Sequence, residues 1–287
     1  TRATVAVAVG RLTHATGPAI RLRCTSRIAA QDLRYTVAAG KPTRTTCPSP
    51  LTTNHLPLRM GRRALRKINP SIDLTGHLRT IEQLPQPWSV EALFGRMARL
   101  EVEMGSGKGL FLKSAAAARP DVNFLGIEVA KKYAEFIAAG LAKAGLNNAK
   151  IVSGDGLRVF QEWIPDNSLA AVHVYFPDPW WKQRHRRRRV MRESFLHDIE
   201  RTLVPGGALH FWTDVEEYFL TSLELLAAHT TLEGPLPVPE TPAEHDMAYR
   251  THFERRVRMA NEPVYRSEFR KRDRNPSGPA RRSEGEE

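Results

Sequence analysis

From residue 100 onward, short apolar runs alternate with longer stretches in which apolar residues recur every three to four positions. The runs cover 100–104, 124–129, 149–152, 170–176 and 208–212, each the length of a buried strand. The stretches at 109–118, 130–144, 190–203 and 216–228 have helical spacing. Alternating strand and helix predict a doubly wound α/β fold: a mostly parallel sheet with helices on both faces. Pro205-Gly206-Gly207 is expected to stop one helix and open the next strand. A proline-rich connector at 234–242 leads into a mixed aromatic and basic segment at 249–269, and 270–287 reads as a polar tail. No internal repeat is visible.

Residues 1–59 break this pattern. They are rich in Thr, Ala and Arg, show no sustained period, and hold nine Lys or Arg against a single acid, Asp32. Three readings fit: a disordered basic arm, an Arg-rich transit segment, or translated sequence upstream of a start at Met60, which is preferred because folded-protein composition begins there. The domain is therefore expected to span 60–269.

Charge changes the picture less than its total suggests. The chain carries a formal +12, yet residues 60–287 hold 34 basic and 30 acidic side chains. Any polyanion-binding surface on the folded part must be a local patch. Both cysteines, Cys24 and Cys47, lie in the first fifty residues, so thiol redox chemistry and a thiolate zinc site are not expected in the domain. No run approaches the ~18 apolar residues of a membrane span, and a cytoplasmic protein is expected.

Leu100 to Met104 runs into Gly105-Ser106-Gly107-Lys108-Gly109. Glycines at this strand-to-helix turn let the backbone bend sharply and approach a ligand. The spacing is neither the dinucleotide G-x-G-x-x-G nor a P-loop. Glu128 ends the second predicted strand and Asp155 follows the third, so Glu101, Glu128 and Asp155 stand on three consecutive strands or the turns after them. Each alone reads equally as a turn or cap acid. Together, beside a glycine turn, they suit a ligand with ribose and adenine, Glu128 taking the ribose hydroxyls and Asp155 the adenine amino group. The absence of a phosphate-grasping sequence fits S-adenosylmethionine.

The fourth predicted strand ends in Pro177-Asp178-Pro179, whose prolines hold Asp178 at the sheet's carboxyl edge. Lys182, Arg184, Arg186, Arg187, Arg188 and Arg189 crowd the next positions, with His185 among them. Such a run is a solvated face or a polyanion patch, and its place beside an aspartate loop favours phosphate contacts. Trp180 and Trp181 are suited to stacking on a base, one of them equally to packing. His173 reads as a core residue. Asp214 reads as a helix cap or a ligand contact, and Thr251 with Glu254 has capping-box spacing. His185 belongs to the cationic run more than to a metal site, since no second histidine is suitably spaced, and no metal is expected.

In order, the glycine turn, Gly126-Ile127-Glu128, Pro177-Asp178-Pro179-Trp180 with the basic run, Thr213-Asp214 and Thr251-x-Phe253-Glu254 resemble the tRNA (guanine-N7-)-methyltransferase family. The resemblance covers about 60–269, and residues 1–59 have no counterpart in it. It implies a Rossmann-like methyltransferase fold that uses S-adenosylmethionine to methylate guanine 46 in the variable loop of tRNA, with no membrane, metal or obligate protein partner. By this resemblance Glu101, Glu128, Asp155 and Asp178 match cofactor-site acids beside Gly105, Gly107 and Gly109. Asp178 also matches the proposed catalytic residue. Lys182, Asp214, Thr251, His252, Phe253 and Glu254 match substrate contacts, which the run from Arg184 through His185 to Arg189 extends. Rival readings are a methyltransferase for small molecules or proteins, and a non-catalytic RNA-binding protein that keeps the fold.

Overall fold

The computed structural model describes residues 65–240, 242–243, 245 and 249–273; the N-terminal stretch 1–59 and most of the C-terminal tail lie outside them. The elements in chain order are β1 (Leu78–Thr80), α1 (Val90–Phe94), β2 (Leu100–Met104), α2 (Leu110–Ala118), β3 (Asn123–Glu128), α3 (Lys131–Lys143), β4 (Ala149–Ser153) and α4 (Gly156–Glu162). They continue with β5 (Leu169–Tyr175), α5 (Glu193–Thr202), β6 (Leu203–Thr213), α6 (Glu216–His229), β7 (Glu233–Leu236), α7 (His252–Met259) and β8 (Tyr265–Arg270).

All eight strands form one sheet in the order β1-β4-β3-β2-β5-β6-β8-β7. The five expected strands are its central parallel members. The last strand of the chain, β8, enters antiparallel between β6 and β7. Strand parity sorts the side chains of β2. Leu100, Val102 and Met104 face α4, α5 and α6 and join Val172, Leu209 and Phe195 in one core. Glu101 and Glu103 point the other way, toward α2 and α3, whose own core is built on Phe111, Phe124, Ile137 and Ile151.

The sequence pattern misplaces several boundaries. The helix expected from 190 starts at Glu193, because Met191 is buried and its amide donates to the Tyr218 hydroxyl at 3.2 Å, which ties the bend at 190–192 to α6. Pro205-Gly206-Gly207 does not open a strand but lies inside β6. Leu203 pairs with Leu169 and Ala208 with Ala171, and the residues between form a bulge. Gly206 there has φ +74°, and a Cβ on Gly207 would sit 2.8 Å from the Val204 carbonyl. The proline-rich connector contributes β7, and the aromatic and basic segment supplies α7 and β8. Local pattern is weak for these elements because β7 is exposed and four residues long, and α7 is short and strongly charged.

Candidate functional site

Strand order reverses between β2 and β5, since the chain leaves β2 toward β3 and β4 and later returns to β5 and β6 on the other side. Ligands of open α/β sheets bind outside the carboxyl ends of the strands at this switch point. The glycine turn lies here. Gly105 and Ser106 donate to the Ile127 carbonyl at 2.8 and 3.2 Å, which folds the turn back over β3. Gly105, Gly107 and Gly109 all have positive φ, but their surroundings differ. A Cβ on Gly105 or Gly107 would meet nothing within 4 Å, whereas one on Gly109 would strike Ile137 at 2.8 Å. Gly109 is therefore needed to pack α2 against α3, and the first two glycines form the open side of the turn.

Glu128 closes that turn from below. Its Oε2 accepts from the Gly107 amide and its Oε1 from the Ala130 amide, both at 2.9 Å. Asp155 caps α4 by accepting from the Leu157 amide at 3.0 Å, and it stays exposed.

The assignment of Glu101 to a ligand needs correction. Glu101 lies deeper in the sheet, where Arg119 grips both its oxygens at 2.6 and 2.8 Å and His173 Nε2 lies 2.9 Å from Oε2. Burial acts to raise its pKa, but the hydrogen bonds from His173 and Arg119 outweigh burial and hold the carboxyl at about 2. Burial in turn lowers the His173 pKa, leaving a neutral imidazole that donates from Nε2 to Glu101 and accepts at Nδ1 from the Tyr175 hydroxyl, 2.9 Å away. His173 is the core residue its strand position implies, stacked at 4.8 Å on His210.

Glu103, which stands where the resembled family commonly has a small residue and to which the sequence assigned no role, is the strand-end acid and only 3% exposed. Its Oε2 is buried without a hydrogen-bond partner. Burial foremost, opposed by the nearby Ser106 hydroxyl and aided by the Glu128 charge, pushes the Glu103 carboxyl up to about 8. A carboxyl held this way under a glycine turn is complementary to a ligand cation, which would neutralise Glu103 and Glu128 together. A signal was present in the sequence: Glu101 and Glu103 share a face, and Glu103 is the one nearer the strand's carboxyl end.

The loop after β5 is set under strain. Phe176 and Trp180 hold φ of 48° and 45°, values uncommon for bulky residues, on either side of Pro177-Asp178-Pro179. Asp178 is exposed and lines an open depression of about 400 Å³ with Pro179, Trp180, Trp181, Lys182 and His185. Trp181 is 59% exposed at its rim. Trp180 is packed instead, with the Arg188 guanidinium 5.0 Å from its ring centre and the His185 ring edge-on at 5.8 Å.

Residues Gln183–Arg188 form a 3-10 helix with no buried member. Lys182, Arg184 and Arg187 are exposed, and Arg186 pairs with Glu217 at 3.3 Å. Arg189 departs from the expected phosphate contact. It is buried, donates from Nε to the Pro179 carbonyl at 2.8 Å, pairs with Glu217 at 2.8 Å and lies over the Tyr218 ring at 4.6 Å. It braces the aspartate loop against α6.

Asp214 follows β6 and does not cap α6. The cap position is Val215, whose amide donates to Thr213 Oγ1 at 3.2 Å. The Asp214 carboxyl is half-buried, and burial raises its pKa. On α7, Thr251 Oγ1 accepts from the Glu254 amide at 2.9 Å, and Glu254 Oε2 accepts from the Arg250 amide at 2.6 Å. Glu254 is buried and also lies 3.3 and 3.4 Å from Arg258 and Arg266, so it serves the helix start and the β8 junction. The neighbouring Phe253 is 38% exposed and rests on Phe176 with ring centres 5.1 Å apart, which brings α7 to the aspartate loop.

Fold and site together define a Rossmann-like methyltransferase: a parallel sheet with one antiparallel insertion, an open glycine turn over two carboxylates, and an aspartate loop across the switch point. A family model described as "Putative methyltransferase" matches residues 98–267. The tRNA (guanine-N(7)-)-methyltransferase of Rhodopirellula baltica is 49% identical over 221 residues, 74% of this chain and 81% of its own length. That of Aromatoleum aromaticum is 42% identical over 176 residues, 59% of this chain and 65% of its own length. Among solved structures, the aminoglycoside resistance methyltransferase NpmB1 is similar at 20% identity and a TM-score of 0.45, over 66% of this chain and 94% of its own. The chain belongs to the tRNA (guanine-N7-)-methyltransferase family.

Proposed function

We propose that this protein transfers the methyl group of S-adenosylmethionine to N7 of a guanine in tRNA, the guanine at position 46 of the variable loop, and that it does so in the cytoplasm. The observation that carries the reading is the Pro177–Pro179 loop: Asp178 stands in it at the sheet's switch point, with the exposed cations Lys182, Arg184 and Arg187 on the segment that follows. A phosphodiester chain held by those cations is delivered to the place where the cofactor ends.

S-adenosylmethionine supplies an electrophilic methyl on a sulfonium. The donor set fits it, because Glu103 and Glu128 offer carboxylates to a cationic ligand, and the glycine turn leaves room above them. Asp155 is placed to receive an adenine amino group. Guanine N7 has a free lone pair and no proton, so no general base is required. Asp178 acts as an acceptor that orients the base and stabilises the positive charge it acquires. Asp214, Thr251, His252 and Phe253 line the approach of the base, while Glu254 sets the start of α7. Trp181 stacks on an unpaired base beside the target.

The test is incubation of the full chain with labelled S-adenosylmethionine and bulk tRNA, followed by nucleoside analysis. Label in 7-methylguanosine is expected, and tRNA with guanine 46 replaced by adenine should accept none. Label in another nucleoside, or in protein alone, would overturn the proposal.

A further inference from the structure

We propose that Glu193, His197 and His229 form a surface site for one divalent transition metal of the zinc class. Glu193 and His197 are one turn apart on α5 and so share a face, and His229 is the last residue of α6. His197 Nε2 lies 3.8 Å from Glu193 Oε1, His229 Nδ1 lies 3.4 Å from the same oxygen, and all three donor atoms fall within 4.8 Å of one another. A tetrahedral zinc with bonds of about 2.0–2.1 Å holds its donors roughly 3.4 Å apart. Two of the three donor separations are thus within half an ångström of that value, and side-chain rotation closes the third.

The chemistry of the donors chooses the ion. Two imidazole nitrogens and one carboxylate oxygen suit zinc, copper or nickel, whereas magnesium and calcium take mostly oxygen. The C-terminal end of α6 favours a cation here and the N-terminal end of α5, where Glu193 is the first residue, opposes it, so the donors and not the helix dipoles decide binding. The two helices are already held in register without it, because the Thr231 amide and hydroxyl donate to Glu200 Oε1 at 2.7 and 2.6 Å. His229 is therefore presented to α5 before any ion arrives, which lowers the ordering cost of binding. Glu193 and His197 are exposed and His229 is half-buried, so the ion keeps at least one solvent ligand. The sequence conceals the site, since its third ligand is distant in the chain and only helix packing brings it near.

A full chain stripped with a chelator and then dialysed is titrated with zinc by calorimetry, beside the double variant His197→Ala/His229→Ala. The wild type is expected to bind one equivalent more than the variant, with magnesium producing no such difference. Its unfolding midpoint should rise with zinc while that of the variant does not. Cobalt in this site should show visible ligand-field bands without the thiolate charge-transfer bands that Cys24 or Cys47 would add. Glu193→Gln keeps both imidazoles and should weaken binding at least tenfold, which gives a second reading if the double variant folds poorly. Equal zinc stoichiometry and affinity in wild type and variants, or no saturable uptake, would overturn the proposal.

Discussion

Arg189 donates from Nε to the carbonyl of Pro179, ten residues earlier, and so ties the aspartate loop to the far end of its own basic segment. The same guanidinium is bidentate to Glu217 of α6. Asp178 is therefore positioned from two sides, by the strained Phe176 and Trp180 and by this brace. Lysine cannot make the forked contact. Arg189→Lys should lower single-turnover methylation by up to about 10²-fold through misplacement of the loop. The affinity for tRNA and its salt dependence should stay close to wild type. Stopped-flow methylation with binding measured at several salt concentrations checks both, and a flattened salt slope would make Arg189 a phosphate contact after all.

The exposed cations should behave in the opposite way. Arg184→Gln and Arg187→Gln remove guanidinium groups that stand in solvent, so each should weaken tRNA binding and reduce the log–log salt slope by roughly 0.7–0.9. Affinity for S-adenosylmethionine should not change. An unaltered slope in the double variant would place the tRNA contact elsewhere.

Glu103 predicts a pH dependence of cofactor binding. In the free protein its carboxyl is held at about 8, so at neutral pH it is mostly protonated and must release that proton to face a ligand cation. Affinity for S-adenosylmethionine should rise with pH up to about 8 and then level off, with proton release seen by calorimetry in buffers of different ionisation heat. The sign for stability is reversed. The folded pKa lies above the ordinary carboxylate value of 4.5, so the folded state binds the extra proton and stability of the free protein falls as pH rises from 4.5 through 8. Glu103→Gln should flatten both profiles. Glu101→Gln should leave the cofactor's pH profile unchanged, since Glu101 is committed to Arg119 and His173.

Asp178→Asn keeps the size of the side chain and part of its hydrogen bonding while removing the charge. Loss of one preorganised electrostatic contact costs on the order of 10²–10³ in rate. A fall of that size in kcat is expected, with a smaller change in tRNA affinity. Near-normal single-turnover rates would reduce Asp178 to a loop-shaping residue.

The five central strands, the helices α2, α3, α5 and α6, the glycine turn, the aspartate between prolines and the basic segment were legible in the chain, because each is written in neighbouring residues, whereas α4 was not. Strand β2 and the helical spacing of α2 and α3 follow from local burial pattern alone. The antiparallel entry of β8 was not legible, since which strand fills the gap beside β6 depends on pairing between distant segments. The roles of charged residues were decided by tertiary structure for the same reason. Glu101 and Glu103 look alike in sequence, yet Arg119 from the end of α2 satisfies the first and leaves the second buried with an unpartnered oxygen. Arg189 looks like its five cationic neighbours until Glu217 and the Pro179 carbonyl take it out of solvent. A side chain's type fixes what it can bind, but only the packed fold determines which partner reaches it first.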